Sequence, residues 1–506
     1  MNSCADLHLV DLYLLDGTGE PPRRSEILLS NGRIAAIGAE KIGGGAGVKI
    51  SCGGKFVSPG FIDAHGHSDI SALAHPELEA RLSQGVTTEI AGNCGLSPFP
   101  LTAANHEHLE QLYRRYQTPL VWDDFTSYRA RLAAASPAVD VIPLVGHNTL
   151  RAAVLGYENT PCRSEQLAEQ QKLLTQMLTQ GAPGLSLGLL YVPGKFAAAD
   201  ELRTLFAAVQ GAGKVVTCHL ASEGKHLLEC LTELGELALS SGLKRLHISH
   251  FKTAGRDNFG KLQAALASLA ELRSAGLEIT FDRYPYTRSM TQLSLVLPDA
   301  WSDIDDASIT SKLRDDETCR RTAAELRRLR PETYWEQVLL VDTPHPAYRK
   351  SRGRPLSELA PDPVTAVLEI LRCDSCASTA AFSGMSADNL RTILLQDCCM
   401  GGSDGTALPA DGSLGIDHPR SYGALARHLR LLLDWNVLPG EAVRRLTGLP
   451  ADVFKLADRG RIAAGCRADL TVFDPDTIDG PADFTDPCRR ATGIRQVICA
   501  GRITSF

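Results

Sequence analysis

Residues 56–69 read Phe56-Val57-Ser58-Pro59-Gly60-Phe61-Ile62-Asp63-Ala64-His65-Gly66-His67-Ser68-Asp69, an apolar run that ends in two histidines. The run has the length of a buried strand. In an extended chain, residues i and i+2 point to the same side, so both imidazoles can reach one metal ion at the carboxyl end of that strand. Gly66 is expected to leave room there for ions and backbone. A His-X-His pattern also arises by chance, and the rest of the chain has to support the metal site.

Seven further apolar runs of strand length follow the first, and helical patterns lie between most of them. The predicted strands are Phe56–Ile62, Val86–Ile90, Val139–Val145, Gly184–Leu190, Lys214–Cys218, Leu246–Ser249, Leu277–Phe281 and Cys399–Gly402. Eight strands that alternate with helices predict parallel pairing through right-handed crossovers. That count indicates an α/β protein with a (β/α)8 TIM barrel over residues 57–454. No glycine-rich phosphate loop opens any helix, so nothing supports a nucleotide site.

Three regions depart from this alternation. Residues 1–56 and 455–506 contain short strands and turns such as Asn31-Gly32, which predict one small β-domain formed from both termini. Residues 287–380, between the seventh and eighth strands, are too long for an ordinary loop. They are interpreted as an inserted subdomain over the barrel mouth.

Composition limits the classes of function. The chain has 506 residues, 44% hydrophobic content and a net charge of -7, which offers no basic surface for nucleic acid. No apolar run is long enough to cross a membrane, and no export signal is recognised. The 14 cysteines are irregularly spaced, so reduced thiols in a cytoplasmic protein are expected rather than disulfides.

Polar residues follow the ends of the predicted strands, which is where barrel active sites are built. The residues that stand there are His65 and His67, Cys94 in Gly92-Asn93-Cys94-Gly95, His219, His250 and Asp404. A single histidine after a strand is more often a hydrogen-bonded core residue, and His247 is interpreted in that way. Histidines after strands one, five and six together with an aspartate after strand eight predict a metal site.

With these residues, the chain resembles the amidohydrolase superfamily, and within it the N-acyl-D-amino-acid deacylase (D-aminoacylase) family. The motifs that carry the resemblance span the chain. They are Asp16-Gly17-Thr18-Gly19, Pro59 to His67, Gly92-Asn93-Cys94-Gly95, Val145-Gly146-His147, Ile248-Ser249-His250-Phe251-Lys252, Tyr284-Pro285-Tyr286-Thr287, His418-Pro419-Arg420-Ser421-Tyr422-Gly423 and Ala468 to Pro475. The resemblance implies that the Cys94 thiolate takes the place of the carboxylated lysine that bridges two metals in many relatives. It also implies a preference for the D configuration.

The ligand types suit zinc. Cys94, His219 and His250 would supply three protein ligands for one tight Zn²⁺ and leave a position open, as a catalytic site requires. His65 and His67 offer a second, weaker site that shares the Cys94 sulfur. Asp404 is expected to act as general base and then general acid toward a metal-activated water. The predicted reaction is hydrolysis of the amide bond of N-acyl-D-amino acids to a carboxylate and a free D-amino acid.

The substrate carries a carboxylate, so cations and hydroxyls are expected at the mouth. By resemblance, Lys252, Tyr191, Tyr284 and Arg420 are expected near that carboxylate. Related deacylases usually carry arginine at the position of Ala221 and a small residue at the position of Arg288. We therefore hypothesise that Arg288 supplies a cationic contact for substrates with an additional polar or acidic group, the alternative being that it points to solvent.

Three other functions stay open at this stage. A cyclic-amide hydrolase of the hydantoinase or dihydropyrimidinase type would use the same barrel, but no lysine is placed to bridge metals in place of Cys94. A non-catalytic binding protein would be expected to have lost ligands or Asp404. A redox or storage metalloprotein gives no reason for Lys252 and Asp404 on the same face. The sequence leaves undetermined the preferred side chain, the acyl group, the number of metals and the oligomeric state.

Overall fold

The structure is a computed structural model that describes residues 7–39, 48–301, 304 and 306–504. Residues 1–6, 40–47 and 505–506 of the predicted β-domain lie outside the described residues, as do 302, 303 and 305 of the predicted insert. Within the described ranges, no helix combines the length and the apolar character needed to cross a membrane.

The strands and helices alternate through the middle of the chain and give way to consecutive strands at its ends. The strands are β1 (Leu7–Leu14), β2 (Arg23–Ser30), β3 (Arg33–Gly38), β4 (Val48–Pro59), β5 (Phe61–Asp63), β6 (Val86–Ala91), β7 (Asp140–Pro143), β8 (Val145–Gly146), β9 (Gly184–Gly188), β10 (Val215–His219), β11 (Arg245–Ile248), β12 (Glu278–Arg283), β13 (Arg288–Gln292), β14 (Val338–Asp342), β15 (Thr379–Ser383), β16 (Cys399–Gly401), β17 (Leu470–Phe473), β18 (Ile494–Cys499) and β19 (Arg502–Thr504). The α-helices are α1 (Ser71–Ala74), α2 (Glu79–Leu82), α3 (His106–Tyr113), α4 (Phe125–Ala135), α5 (His147–Leu155), α6 (Ser164–Thr179), α7 (Ala199–Gly211), α8 (Leu227–Ser240), α9 (Leu262–Ser274), α10 (Asp306–Arg314), α11 (Asp316–Leu329), α12 (Glu332–Gln337), α13 (Pro363–Cys373), α14 (Ala387–Leu394), α15 (Arg420–Asp434), α16 (Pro439–Arg444) and α17 (Gly448–Val453).

The central strands form a closed parallel barrel. Strands β5, β6 and β7 pair in that order, and β8, β9, β10, β11, β12 and β16 continue the circle. Strands β7 and β8 are separated by Leu144 alone, so together they count as one of the eight strands of the barrel. The circle closes where the Ala64 backbone N–H donates to the Gly401 carbonyl at 3.0 Å. Each predicted barrel strand is present, and the (β/α)8 prediction is confirmed.

The two ends of the chain share one sheet, which agrees with the predicted small β-domain formed from both termini. Its strand order is β19-β18-β17-β4-β1-β2-β3, so the C-terminal strands join the N-terminal ones between β17 and β4. The inner face is apolar and packs residues such as Leu9, Ile27, Val57 and Leu470. Burial of that face fixes the register, because a shift of one residue would turn the apolar set toward solvent.

The predicted strand Phe56–Ile62 is two strands in the structure. Phe56 to Pro59 end β4 and pair with β17, whereas only Phe61–Asp63 belong to the barrel. The break falls at Gly60, where a Cβ atom would overlap the side chain of Thr87. The boundary expected between residues 56 and 57 therefore lies inside β4, which runs from the terminal sheet directly into the barrel.

The long insertion between β12 and β16 forms an antiparallel sheet with its own core. Its strand order is β13-β15-β14, and helices α10 to α13 pack beside it. The core is made of buried apolar side chains, among them Leu313, Trp335, Leu340 and Val367. Because β13 begins five residues after β12 ends, the insert leaves the barrel at the carboxyl ends of its strands.

Candidate metal centre

The carboxyl ends of the barrel strands bring the predicted ligands to one place. Cys94 Sγ lies 3.4 Å from His65 Nε2, 3.4 Å from His219 Nδ1 and 3.5 Å from His250 Nε2. Two ligands of one tetrahedral zinc, a sulfur at about 2.3 Å and a nitrogen at about 2.0 Å, stand about 3.5 Å apart. The donor atoms therefore already have the spacing that a zinc ion requires.

Two overlapping groups of side chains could each hold a cation. His65, Cys94, His250 and Asp404 have ligand atoms within 4.8 Å of one another, and so do His219, Glu223 and His250. His67 adjoins the first group, with its Nε2 atom 3.1 Å from Asp404 Oδ1. Thiolate, imidazole and carboxylate are the donors found in zinc sites, so the residues present fit that metal.

Three of these residues have left-handed backbone conformations. The φ angles are +53° at Cys94, +37° at His250 and +49° at Asp404. This region is disfavoured for residues with a Cβ atom, and such strain concentrates at functional sites because the surrounding structure imposes it. The sharp turns after β6, β11 and β16 thus direct these side chains back over the barrel axis.

The charges around Cys94 favour its thiolate. Burial raises the pKa of the thiol, but His65, His219 and His250 outweigh it and hold the pKa well below its usual value. A thiolate is the form that binds metal. The sulfur is therefore prepared for ligation by the same histidines that surround it.

A buried carboxylate orients His65. The His65 Nδ1 atom donates to Asp282 Oδ2 at 3.0 Å, which leaves Nε2 facing Cys94. His247 Nε2 lies 2.9 Å from the same oxygen, and the His250 backbone N–H donates to Asp282 Oδ1. Although burial raises the pKa of Asp282, His65 and His247 bring it below its usual range. Carboxylate–histidine pairs of this kind fix the ring nitrogen that faces a metal.

Asp404 lies between an arginine and a histidine. Its Oδ2 atom forms an ion pair with Arg420 Nη1 at 2.7 Å, and its Oδ1 atom lies 3.1 Å from His67 Nε2. Burial raises the pKa of this carboxyl, but Arg420 and His250 hold it well below its usual value. The group is therefore ionised at neutral pH and able to accept a proton.

Lys252, expected at the substrate carboxylate, is paired with a carboxylate of the chain itself. Its Nζ atom donates to Glu223 Oε1, and the same oxygen lies 2.8 Å from His250 Nδ1. Burial raises the pKa of Glu223, but Lys252 and His250 outweigh it and lower it well below the usual value. Glu223 thus orients His250 as Asp282 orients His65. Sequence reasoning gave neither carboxylate a role.

The predicted tyrosines flank this group on two sides. The Tyr191 ring lies 4.9 Å from the His219 ring and is 37% exposed, so it borders the opening of the site. Tyr284 is fully buried, and the Arg420 guanidinium lies over its ring at 4.6 Å. Tyr191, Lys252, Tyr284 and Arg420 therefore lie around the predicted metal ligands, whereas Ala221 contributes no polar group.

Arg288 has different partners. Its guanidinium donates to the Gln337 carbonyl at 2.5 Å and lies 5.9 Å from the Phe484 ring. Its own carbonyl accepts from His418 Nε2 at 3.1 Å. The backbone of Arg288 is thus close to the site, while its side chain binds the insert. Its predicted contact with substrate stays a prediction.

Behind the first histidine pair lies a buried ion network. Arg81, fully buried, donates to Glu89 Oε2 at 2.6 Å and to the Gly405 carbonyl, and it lies 3.3 Å from Asp63 Oδ2. Asp63 in turn accepts from the backbone N–H of Ser403. Gly66, expected to leave room for ions and backbone, leaves room for Glu89 instead, since a Cβ there would overlap that carboxylate.

Known proteins are similar to this chain in sequence and architecture. The amidohydrolase family model matches residues 49–328 and 397–505. An N-acyl-D-glutamate deacylase of Alcaligenes xylosoxydans xylosoxydans is 35% identical to the chain, over 99% of this chain and 94% of that protein.

Two solved structures extend the similarity to the fold. N-acyl-D-glutamate deacylase from Bordetella bronchiseptica, in complex with zinc and a phosphonate mimic of the tetrahedral intermediate, has a TM-score of 0.82 and 30% identity, covering 99% of this chain and 96% of that one. A D-aminoacylase structure that addresses a binuclear metal centre has a TM-score of 0.80 and 30% identity, with the same coverage.

Proposed function

Because the chain belongs to the amidohydrolase family, in its N-acyl-D-amino-acid deacylase branch, we propose that it hydrolyses the amide bond of N-acyl-D-amino acids with zinc as cofactor. The observation that carries the proposal is the grouping of Cys94, three histidines and an ionised Asp404 at one barrel end. The products are a carboxylate and a free D-amino acid. The D configuration is inferred from the substrates named for the relatives.

We assign the tight zinc site to Cys94, His219 and His250. His65 and His67 would hold a second, weaker ion together with the shared sulfur. Zinc in these sites supplies a Lewis acid that polarises the amide carbonyl and lowers the pKa of water. Support comes from the 3.4 and 3.5 Å spacings around the sulfur and from the carboxylates that fix two of the imidazoles.

Asp404 is the residue that we assign to proton transfer. Its carboxylate takes a proton from the attacking water and returns it to the departing amine nitrogen. Arg420 keeps the carboxylate ionised before the reaction, and His67 holds Oδ1 in a fixed direction. Both contacts orient the base without removing its ability to accept a proton.

The substrate carboxylate is assigned to the polar wall beside the metal site. Lys252, Arg420, Tyr191 and Tyr284 supply cations and hydroxyls there. Arg420 is already paired with Asp404, and Lys252 is already paired with Glu223. The substrate carboxylate would therefore compete with these two carboxylates for the cations. A further contact between substrate and Arg288 would require the guanidinium to leave the Gln337 carbonyl.

We also propose a cytoplasmic location. Cysteines at thirteen described positions are free of disulfides, and several of them are buried in the barrel or the insert. Unpaired thiols in this number are typical of reducing compartments.

The direct test is a substrate panel with zinc-loaded protein. Release of free amine from matched N-acetyl-D- and N-acetyl-L-amino acids would be measured beside ring opening of hydantoin and dihydrouracil. Turnover of the D series supports the proposal. Ring opening without turnover of any N-acyl-D-amino acid would replace it with cyclic-amide hydrolysis.

A further inference from the structure

One buried cation beside Tyr284 has no acidic partner among the residues that the structure describes. Arg283 ends β12, and its side chain is fully buried. Nη2 donates to the Tyr286 carbonyl at 2.9 Å and lies 2.7 Å from Met385 Sδ. Among the described residues, Nε and Nη1 have no hydrogen-bond partner, and no carboxylate lies within ion-pair distance. A buried guanidinium without a carboxylate partner lowers the stability of the folded state. We therefore expect Arg283 to have a role in function.

Arg283 belongs to the group of charges around Tyr284. Its guanidinium lies 4.0 Å from the centre of the Tyr284 ring, and that of Arg420 lies 4.6 Å from it. The Tyr284 hydroxyl is buried and has no partner within the described ranges. Burial raises the pKa of Tyr284, but Lys252, Arg283 and Arg420 outweigh it and lower the pKa below its usual value. The phenol thus lies in a positive field.

The three cations around Tyr284 outnumber the carboxylates that pair with them. Arg420 is neutralised by Asp404 at 2.7 Å, and Lys252 is neutralised by Glu223. The two cations that we assign to the substrate carboxylate therefore already have counterions. Of the three cations that act on Tyr284, Arg283 is the one whose charge is left over.

We infer that Arg283 is a specificity-determining residue that supplies the unbalanced positive charge of the substrate wall and favours amides with more carboxylate groups. It acts through the field and through the position of Tyr284, without touching the substrate. The inference rests on the proposed deacylase function and names a substrate class within it, the N-acyl derivatives of acidic amino acids.

The test compares two substrates of the same shape and different charge. N-acetyl-D-glutamate carries one carboxylate more than N-acetyl-D-glutamine. A unit charge about 10 Å away at an effective dielectric constant of about 20 corresponds to a roughly tenfold change in affinity. Arg283→Met should therefore lower kcat/KM roughly tenfold more for the glutamate derivative, mainly through KM, and Arg283→Lys should restore most of the difference.

A matched control is available on α15. The Arg427 guanidinium lies over the Tyr286 ring at 5.1 Å, two residues along from Tyr284. Arg427→Met removes an arginine that lies over the neighbouring tyrosine ring and should leave the ratio between the two substrates unchanged. The thermal midpoint of Arg283→Met should stay near the wild-type value, because removal of a buried charge without a carboxylate partner offsets the loss of the hydrogen bond to the Tyr286 carbonyl.

Binding of the products separates this inference from the proposed function. Calorimetry with D-glutamate and D-glutamine reads the charge preference without hydrolysis. If the protein cleaves no N-acyl-D-amino acid of the substrate panel but Arg283→Met removes a preference for D-glutamate, the deacylase proposal fails and the role of Arg283 stands. If Arg283→Met weakens both substrates and both products equally, or Arg283→Lys restores nothing, the inference is overturned and the deacylase proposal is unaffected.

Discussion

Cys94 is the residue on which the chemistry of the site converges. Its sulfur is shared among three imidazoles, and the positive φ at this position directs it over the barrel axis. A hydroxyl could occupy the same space, but it would not ionise to the soft ligand that a shared zinc position requires.

Cys94→Ser is expected to lose both zinc and activity, because the thiolate is the donor shared by the two proposed sites. Metal analysis after dialysis measures the loss. Cys399→Ser, at a thiol buried in β16 away from the ligands, should keep its zinc and serves as the control. His65→Ala should lower activity while leaving much of the tight metal. Full zinc content in Cys94→Ser would remove this residue from the ligand set.

Asp404→Asn is expected to keep its zinc and its fold while kcat falls by about 10²–10⁴. The amide preserves the shape beside Arg420 and His67 but cannot take a proton. Single-turnover measurements isolate the chemical step, and circular dichroism checks the fold. Near-normal kcat in this variant would assign proton transfer to another group.

At the residue scale, the sequence predicted the groups that follow barrel strands and missed those that act behind them. His65, Cys94, His219, His250 and Asp404 could be found because barrel sites form where strands end. Asp282 lies 217 residues from the histidine that it orients, and no local pattern reveals such a pair. Glu223 is only four residues after His219, but its role depends on Lys252 from the next strand.

At the scale of the elements, a buried network fixes the strand ends relative to one another. Arg81 at α2 joins Glu89 of β6 to Asp63 of β5 and to the turn that follows β16. The turn that carries Asp404 is therefore tied to the strand that leads to His65. The positions of the proposed base and of the proposed ligand His65 therefore depend on the same ion pairs.

Glu89→Gln should lower the free energy of unfolding by about 3–5 kcal/mol, because it leaves Arg81 partly uncompensated in a site without solvent. Thermal or denaturant unfolding of the zinc-loaded protein measures the effect. Glu110→Gln, at an exposed carboxylate, should change stability by less than about 0.5 kcal/mol. Equal effects of the two substitutions would mean that the buried network does not support the fold.

Elements were predictable where a short strand is buried along its whole length between two helical segments, as in β6 and β9. The division of residues 56–62 between two sheets was not. An apolar run has the same appearance whether it pairs in the barrel or with β17, and the close approach of Thr87 to Gly60 is a contact between strands. The pattern thus identified the strands, whereas their partners depend on tertiary packing.

At the scale of the whole molecule, the barrel carries the site, and the terminal sheet and the insert are each joined to a barrel strand that leads to it. The terminal sheet continues into β5, which ends two residues before His65, and the insert begins next to β12, which carries Asp282 and Arg283. The pairing of the termini was predictable from their similar strand patterns. The packing of the insert was not, since its core forms from helices and strands far apart in the chain.

A zinc titration tests the central claim most directly. Protein stripped of metal by a chelator would receive zinc in increments while amine release from N-acetyl-D-glutamate and other N-acetyl-D-amino acids is followed. We predict no turnover in the stripped protein and a return of activity that saturates near the first equivalent of zinc per chain. Full turnover in the metal-free protein, or none at any zinc content with any N-acyl-D-amino acid, would contradict the account.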